Sequence, residues 1–215
     1  MRRQLQLIYK ILYSHFGPQR WWPAESAFEV MVGAILTQNT NWGNVSRAID
    51  NLRQNKLITP NKLYKLPQER LALLIRPTGY YNIKAKRLRE FLRFFLKNYK
   101  GSISRISRER IWRLREFLLA IKGIGPETAD SIMLYALNKP VFVIDTYTKR
   151  ILLRHGFISP DFGYAEVQNL FMKNLKPQAG LFNEFHALLV RLAKEYCLKD
   201  NPKCHSCPLK GILRA

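Results

Sequence analysis

The run Ile121-Lys122-Gly123-Ile124-Gly125-Pro126-Glu127-Thr128-Ala129 constrains this chain more than any other segment. It reads as a tight turn between two helices. Glycine tolerates positive φ and lets another backbone approach closely. Pro126 suits the first position of the second helix, where its missing N–H is not needed. The glycine amides and the free N–H groups of a helix start can bind a phosphate without reading base sequence. An ordinary helix–helix turn can also carry Gly-x-Gly, so the basic neighbours matter. Lys122 lies inside the turn, and Lys149, Arg150 and Arg154 follow it.

One acid follows the hairpin at a telling distance. Asp145 lies 20 residues after Gly125, in the run Ile144-Asp145-Thr146-Tyr147-Thr148. It reads as the N-cap of a helix that starts there. A capping carboxylate is also well positioned and kept ionised by the helix dipole, so a capping and a chemical role are compatible.

The rest of the pattern is helical. Phe28, Met31, Val32, Ile35 and Leu36 follow the spacing of a buried helical stripe. Val45, Ile49 and Leu52 resume it after the polar turn Gln38-Asn39-Thr40-Asn41, and Ile111, Leu114 and Leu118 form a third stripe ending near Gly123. Val141-Phe142-Val143-Ile144 has strand composition, but its place between Pro140 and Asp145 fits an extended connector into a helix better. A last helix is expected from about Phe182 to Tyr196. The expected fold class is all-α.

Charge narrows the function. The chain has 36 Lys and Arg against 15 Asp and Glu, a formal net charge of +21 over 215 residues. That excess is too large for a merely solvated surface and points to a polyanion, above all nucleic acid. Apolar residues make up 47%, which excludes a disordered chain. No stretch reaches the ~20 apolar residues of a membrane span. The N-terminal segment reads as an amphipathic helix rather than a signal peptide. A cytoplasmic, DNA-associated protein with no membrane partner is expected.

Leu119 to Arg150 resembles the helix–hairpin–helix/GPD superfamily of DNA glycosylases, which includes endonuclease III. Leu36-Thr37-Gln38-Asn39-Thr40 is similar to that family's helix-end motif near DNA, and Gly79-Tyr80-Tyr81-Asn82 with Lys84-Ala85-Lys86 to a second of its segments. The resemblance implies an all-α, two-lobed fold with the active site in the interlobe cleft. Residues 23–131 would form one lobe, and 1–22 with 132–215 the other. It implies that Asp145 is the catalytic acid, cutting an N-glycosidic bond through an oxocarbenium-like transition state. The target base must first leave the stack. Gln38 would fill the gap, and Lys122, Gly123, Gly125 and Thr128 would hold the DNA.

Endonuclease III-like enzymes carry a lysine nucleophile where this chain has Glu127. A carboxylate cannot form an imine, so hydrolysis to an abasic site is expected in place of strand cleavage. The bland reading of Glu127 is an acid in a first helical turn. Trp21-Trp22-Pro23, Trp42 behind the Thr37-Gln38-Asn39-Thr40 segment, and Gly-Ile-Gly-x-Glu are similar to the 3-methyladenine DNA glycosylase III branch. That resemblance implies a base pocket of Trp21, Trp22, Pro23, Trp42, Glu127 and Lys194. Indoles would stack on a cationic alkylated purine, adding ~0.5–2 kcal/mol of cation–π attraction. Core packing is the alternative for at least one of Trp21 and Trp22. A monofunctional glycosylase for alkylated purines, 3-methyladenine foremost, follows from the resemblance. It would act as a monomer on double-stranded DNA with damaged bases. An endonuclease III-like range (oxidised pyrimidines or mispaired adenine) and a non-catalytic DNA-binding helix–hairpin–helix protein are the alternatives.

All three cysteines fall near the C-terminal end, as Cys197-x6-Cys204-x2-Cys207. This resembles the first three ligands of the endonuclease III iron–sulfur loop, whose fourth is expected where the chain has Leu213. A [4Fe–4S] cluster normally takes four cysteines. Three leave open a cluster with a non-cysteine or vacant fourth site, a vestigial loop, or zinc completed by His205.

Overall fold

The computed structural model describes residues 1–19 and 21–212. Helices follow one another as α1 (Arg2–Phe16), α2 (Ala27–Leu36), α3 (Trp42–Gln54), α4 (Pro60–Lys65), α5 (Gln68–Leu74) and α6 (Tyr81–Tyr99). Then come α7 (Ile103–Ile106), α8 (Ile111–Leu119), α9 (Pro126–Ser131), α10 (Thr146–Arg154), α11 (Tyr164–Met172) and α12 (Ala179–Glu195). Short 3-10 turns occupy Arg76–Thr78 and Cys204–Ser206, and α9 runs on as a π-helical turn, Ile132–Ala136. The described residues contain no strand, so the fold is all-α. Among them no helix is long and apolar enough to cross a membrane. The chain divides into two compact units, Ala24–Leu137 and Met1–Pro23 with Asn138–Ala215.

The unit Ala24–Leu137 is built round α2. Every residue from Phe28 to Leu36 is buried, because other helices surround it. Ser26 caps its start by accepting from the Glu29 N–H at 3.2 Å. The long α6 packs against it, with Phe28 stacked on Phe95 at 6.1 Å between centroids. Of the charged groups buried in this unit, Glu29 of α2 and Lys84 of α6 are each satisfied. Glu29 receives Arg53 at 2.8 Å. Lys84, 1% exposed, donates to the carbonyls of Leu36 at 2.9 Å and Thr78 at 2.7 Å. The ammonium therefore closes the C-terminal end of α2, where a helix leaves carbonyls without partners. Burial, with Arg87 nearby, lowers the Lys84 pKa to about 8. In the α8 stripe Leu114 and Leu118 are buried, but Ile111 is 36% exposed. It stands at the first position of its helix, after an exposed loop, where no neighbour covers that face.

In the other unit, Leu5, Ile8 and Leu12 form the buried face of α1, at helical spacing. The α12 helix buries Phe182, Phe185, Leu188, Leu189 and Leu192. Phe142, from the extended connector, is the hub of an aromatic cluster. It stacks on Phe171 at 3.8 Å and meets Phe182 edge-on at 5.4 Å. Edge-to-face and offset pairs of this kind add about 0.5–1.5 kcal/mol each beyond burial. The cluster anchors the connector, and with it the start of α10.

Candidate active site

Asp145 is placed by that connector. Val141 to Ile144 run extended and buried, and Asp145 caps α10 with β-region dihedrals. Its Oδ1 accepts the Thr148 N–H at 2.7 Å. The other oxygen, Oδ2, faces Nε2 of His186 at 3.5 Å. Burial by itself pushes the Asp145 carboxyl up. The charge and contact of His186, with the Thr148 N–H and hydroxyl, more than offset burial and hold the carboxyl below its usual value. The result is a carboxylate that stays ionised while 12% of its side chain reaches solvent. One oxygen serves the helix cap and the other meets His186.

None of the sequence motifs singles out His186. It lies on α12, 5% exposed, between Phe185 and Ala187 on an apolar face. A polar residue in such a run was the available signal, but a satisfied core histidine gives the same one.

In the same unit, Trp21 and Trp22 pack edge to face, with centroids 6.2 Å apart. Both are half-buried, and Pro23 is exposed. The Lys194 ammonium, on the exposed last turn of α12, stands 5.9 Å from the Trp21 ring centroid, within cation–π range. The Trp21 indole N–H is buried with no hydrogen-bond acceptor among the described residues.

The hairpin belongs to the unit Ala24–Leu137. Gly123 has φ of +91°, and a Cβ there would stand 2.5 Å from Arg87 Cγ. Glycine is thus required by the protein itself. Gly125 is different. It is extended, with φ −93° and ψ 178°, and a Cβ there would meet open space. Glu127 is exposed in the first turn of α9, Lys122 is exposed in the turn, and Thr128 is buried. Gln38 is tied to this hairpin. Its Nε2 donates to the Gly123 carbonyl and to Thr128 Oγ1, each at 3.0 Å, and its Oε1 accepts from Arg87 at 2.5 Å. Trp42 is the half-buried first residue of α3, behind the capping Asn41, whose side chain accepts the Asn44 N–H at 3.1 Å.

The cysteines surround a separate space. Cys197, Cys204 and Cys207 line a cavity of about 230 Å³, with Arg154, His155 and Lys210 also on its walls. Cys197 is buried, Cys204 exposed and Cys207 half-buried. Burial pushes the Cys207 thiol up against the pull of the Leu209 N–H, and Cys197 and Cys204 are close enough to add to the rise. Among the described residues no three His, Cys, Asp or Glu groups converge on a single metal-sized point. The three thiols share the wall of one cavity. As thiolates they are iron–sulfur cluster ligands by type, and they leave one of the four usual positions to another group. Leu213, where the fourth cysteine is expected, lies outside the described residues.

Comparison with known proteins identifies relatives of this chain. A protein of Methanocaldococcus jannaschii, provisionally named a DNA repair glycosylase, is 46% identical over 205 residues, covering 94% of this chain and 92% of its own. Endonuclease III of Thermotoga maritima is 29% identical over 184 residues, covering 86% of this chain and 81% of its own. The crystal structure of the Helicobacter pylori 3-methyladenine DNA glycosylase bound to 1,N6-ethenoadenine superposes with a TM-score of 0.77 at 30% identity, over 89% of this chain and 97% of that one. An endonuclease III–DNA covalent intermediate shares the fold, with a TM-score of 0.85 at 23% identity over 100% of this chain and 96% of that one. Residues 32–177 match the HhH-GPD superfamily of base excision DNA repair proteins. The chain belongs to that superfamily, and it is a DNA glycosylase of the endonuclease III-like kind.

Proposed function

We propose that this glycosylase is monofunctional and removes alkylated purines, 3-methyladenine foremost, by hydrolysis to an abasic site. The observation that carries the reading is Glu127, a carboxylate in the first turn of α9 at the hairpin position where endonuclease III-like enzymes carry lysine.

Asp145 Oδ2 supplies negative charge as the glycosidic bond lengthens and C1′ becomes positive. The same oxygen orients or deprotonates the attacking water. No covalent amine intermediate is needed, and Glu127 cannot provide one. Alkylation at N3 or N7 makes the purine cationic and weakens its bond to the sugar. Such a base needs little leaving-group activation, so stacking is enough to hold it. Trp21 and Trp22 offer edge-to-face indoles, and the buried Trp21 N–H is a donor available to the base. Trp42, Pro23, Lys194 and Glu127 complete the proposed pocket. Gln38 would exchange its bonds to Gly123, Thr128 and Arg87 for contacts in the gap the base leaves. The protein would act as a monomer on double-stranded DNA. The Helicobacter pylori likeness supports this lesion class. Cys197, Cys204 and Cys207 would hold an iron–sulfur cluster, whose contribution when bound is to fix the C-terminal loop.

The relatedness to Thermotoga maritima endonuclease III favours a second reading, a glycosylase for oxidised pyrimidines or mispaired adenine. Duplexes carrying each lesion, incubated with the protein and then cleaved with alkali at abasic sites, choose between the two. Release of alkylated purines with no borohydride-trapped protein is the expected result. Efficient covalent capture would overturn the monofunctional assignment.

A further inference from the structure

The cavity beside α10 has three sulfur ligands in its wall, and a cubane cluster has four irons to bind. We infer that His155 is the fourth ligand, so that Cys197, Cys204, Cys207 and the Nε2 of His155 together hold a [4Fe–4S] cluster.

The other lining groups are spent or unsuitable. Arg154 stays protonated and has no lone pair to give. Its guanidinium donates to Cys197 Sγ at 3.4 Å and to the carbonyls of Leu198 at 2.5 Å and Lys199 at 2.8 Å. The Tyr196 hydroxyl is engaged with His15 Nε2 at 3.1 Å. Lys210 is a cation. His205, adjacent to Cys204, is exposed and is not part of the wall.

His155 is prepared differently. Its Nδ1 stands 2.5 Å from the Ile212 carbonyl. A carbonyl only accepts, so Nδ1 carries a proton, and the tautomer this selects has its lone pair on Nε2. Histidines that bind metals are oriented in this way, through a hydrogen bond from the second nitrogen to a carbonyl or carboxylate. The contact is made at Ile212, next to the position at which the family spacing expects a fourth cysteine. The ring is also well anchored. It follows α10 directly, and Arg150 of that helix donates to the Cys197 carbonyl at 2.8 Å.

On assembly three thiols each release a proton and form an iron–sulfur bond, while His155 gives a lone pair and loses no proton. The core takes four ferric ions and four sulfides, and a dithiol oxidised to its disulfide supplies the two electrons that make half of the iron ferrous. The anionic cluster lies beside Arg154 and Lys210, which favour its charge. Exchanging one thiolate for a neutral imidazole removes a negative charge, so the reduction potential is higher than with four cysteines.

The test uses the whole chain, purified without oxygen and supplied with ferric iron, sulfide and excess dithiothreitol, whose thiols give the two electrons that reduce two of every four ferric ions. About four irons and four sulfides per chain are expected, with visible absorption. With isotopically labelled histidine, the reduced cluster shows magnetic coupling to one imidazole nitrogen. His155→Cys keeps the iron, loses that coupling and shifts the potential downward. His155→Ala sheds iron faster in air, and Cys204→Ser retains no stoichiometric cluster. A native chain that takes up no cluster, or only a single metal ion, overturns the proposal. So does a cluster without nitrogen coupling, one coupled to His205, or a His155→Cys protein identical to the native one. None of these readouts depends on base release by Asp145.

Discussion

Asp145 Oδ2 and His186 Nε2 stand 3.5 Å apart, with 12% and 6% of their side chains exposed. The pair makes the acid an anion in a setting that would otherwise favour its neutral form. Asp145→Asn keeps the size and the Thr148 cap but removes the charge. It is expected to cut base release by roughly 10²–10⁴-fold with duplex affinity retained. Single-turnover assays with saturating protein check this.

His186→Gln leaves Asp145 buried but takes away the charge that offsets burial. The Asp145 pKa then rises. Native activity holds as pH falls until it passes the depressed carboxyl pKa. In the variant the acid limb of the pH–rate profile moves to higher pH. A uniform fall in rate with an unmoved limb would make His186 a packing residue only.

Gly123 and Gly125 should separate folding from DNA contact. Gly123→Ala meets both a φ of +91° and Arg87 at 2.5 Å. A stability loss of about 1–3 kcal/mol and a lower Tm are expected. Gly125→Ala meets nothing within the protein. Its Tm should be unchanged while affinity for duplex DNA falls several-fold, because the glycine leaves room for the backbone of the bound strand. Equal affinity in the Gly125→Ala protein would remove that residue from the DNA contact.

Lys84 gives a pH signature. Its pKa is about 8 in the fold against an ordinary value of 10.5. Between these values the unfolded chain holds a proton that the folded chain has released. Stability from this group therefore grows as pH rises through the window, and is lost as pH falls through about 8. Tyr99, raised to about 12 by burial and by Glu109, acts in the opposite sense above pH 10. Its effect is common to both proteins and cancels when native and Lys84→Met stabilities are subtracted. The difference measured by denaturant titration should increase from pH 8 to 10.5. A flat difference would refute the titration assigned to Lys84.

Arg115 clamps Asp130 with bonds of 2.8 and 3.1 Å, and Asp130 is fully buried. Arg115→Met takes the guanidinium from that buried carboxylate and should cost about 3–5 kcal/mol. Adding Asp130→Asn should recover a good part, since the buried negative charge is then gone. Equilibrium unfolding of the single and double variants measures both effects.

Local rules made much of this chain legible in advance. The i, i+3, i+4 stripe around Met31 and Ile35 required α2, Pro126 marked the start of α9, and Asp145 capped α10, because each depends on neighbours a few residues away. The superfamily could be recognised from the hairpin, the acid 20 residues on and the Gln38 segment, in that spacing. Tertiary packing decided the rest. Only folding puts His186 beside Asp145, Lys84 under the end of α2, Gln38 across 85 residues onto the Gly123 carbonyl, and His155 on the wall of the cysteine cavity. Those pairings join side chains far apart in sequence, and their strength comes from exclusion of water. No local pattern encodes that exclusion; it exists once α10 and α12, or α2 and α6, have closed on one another.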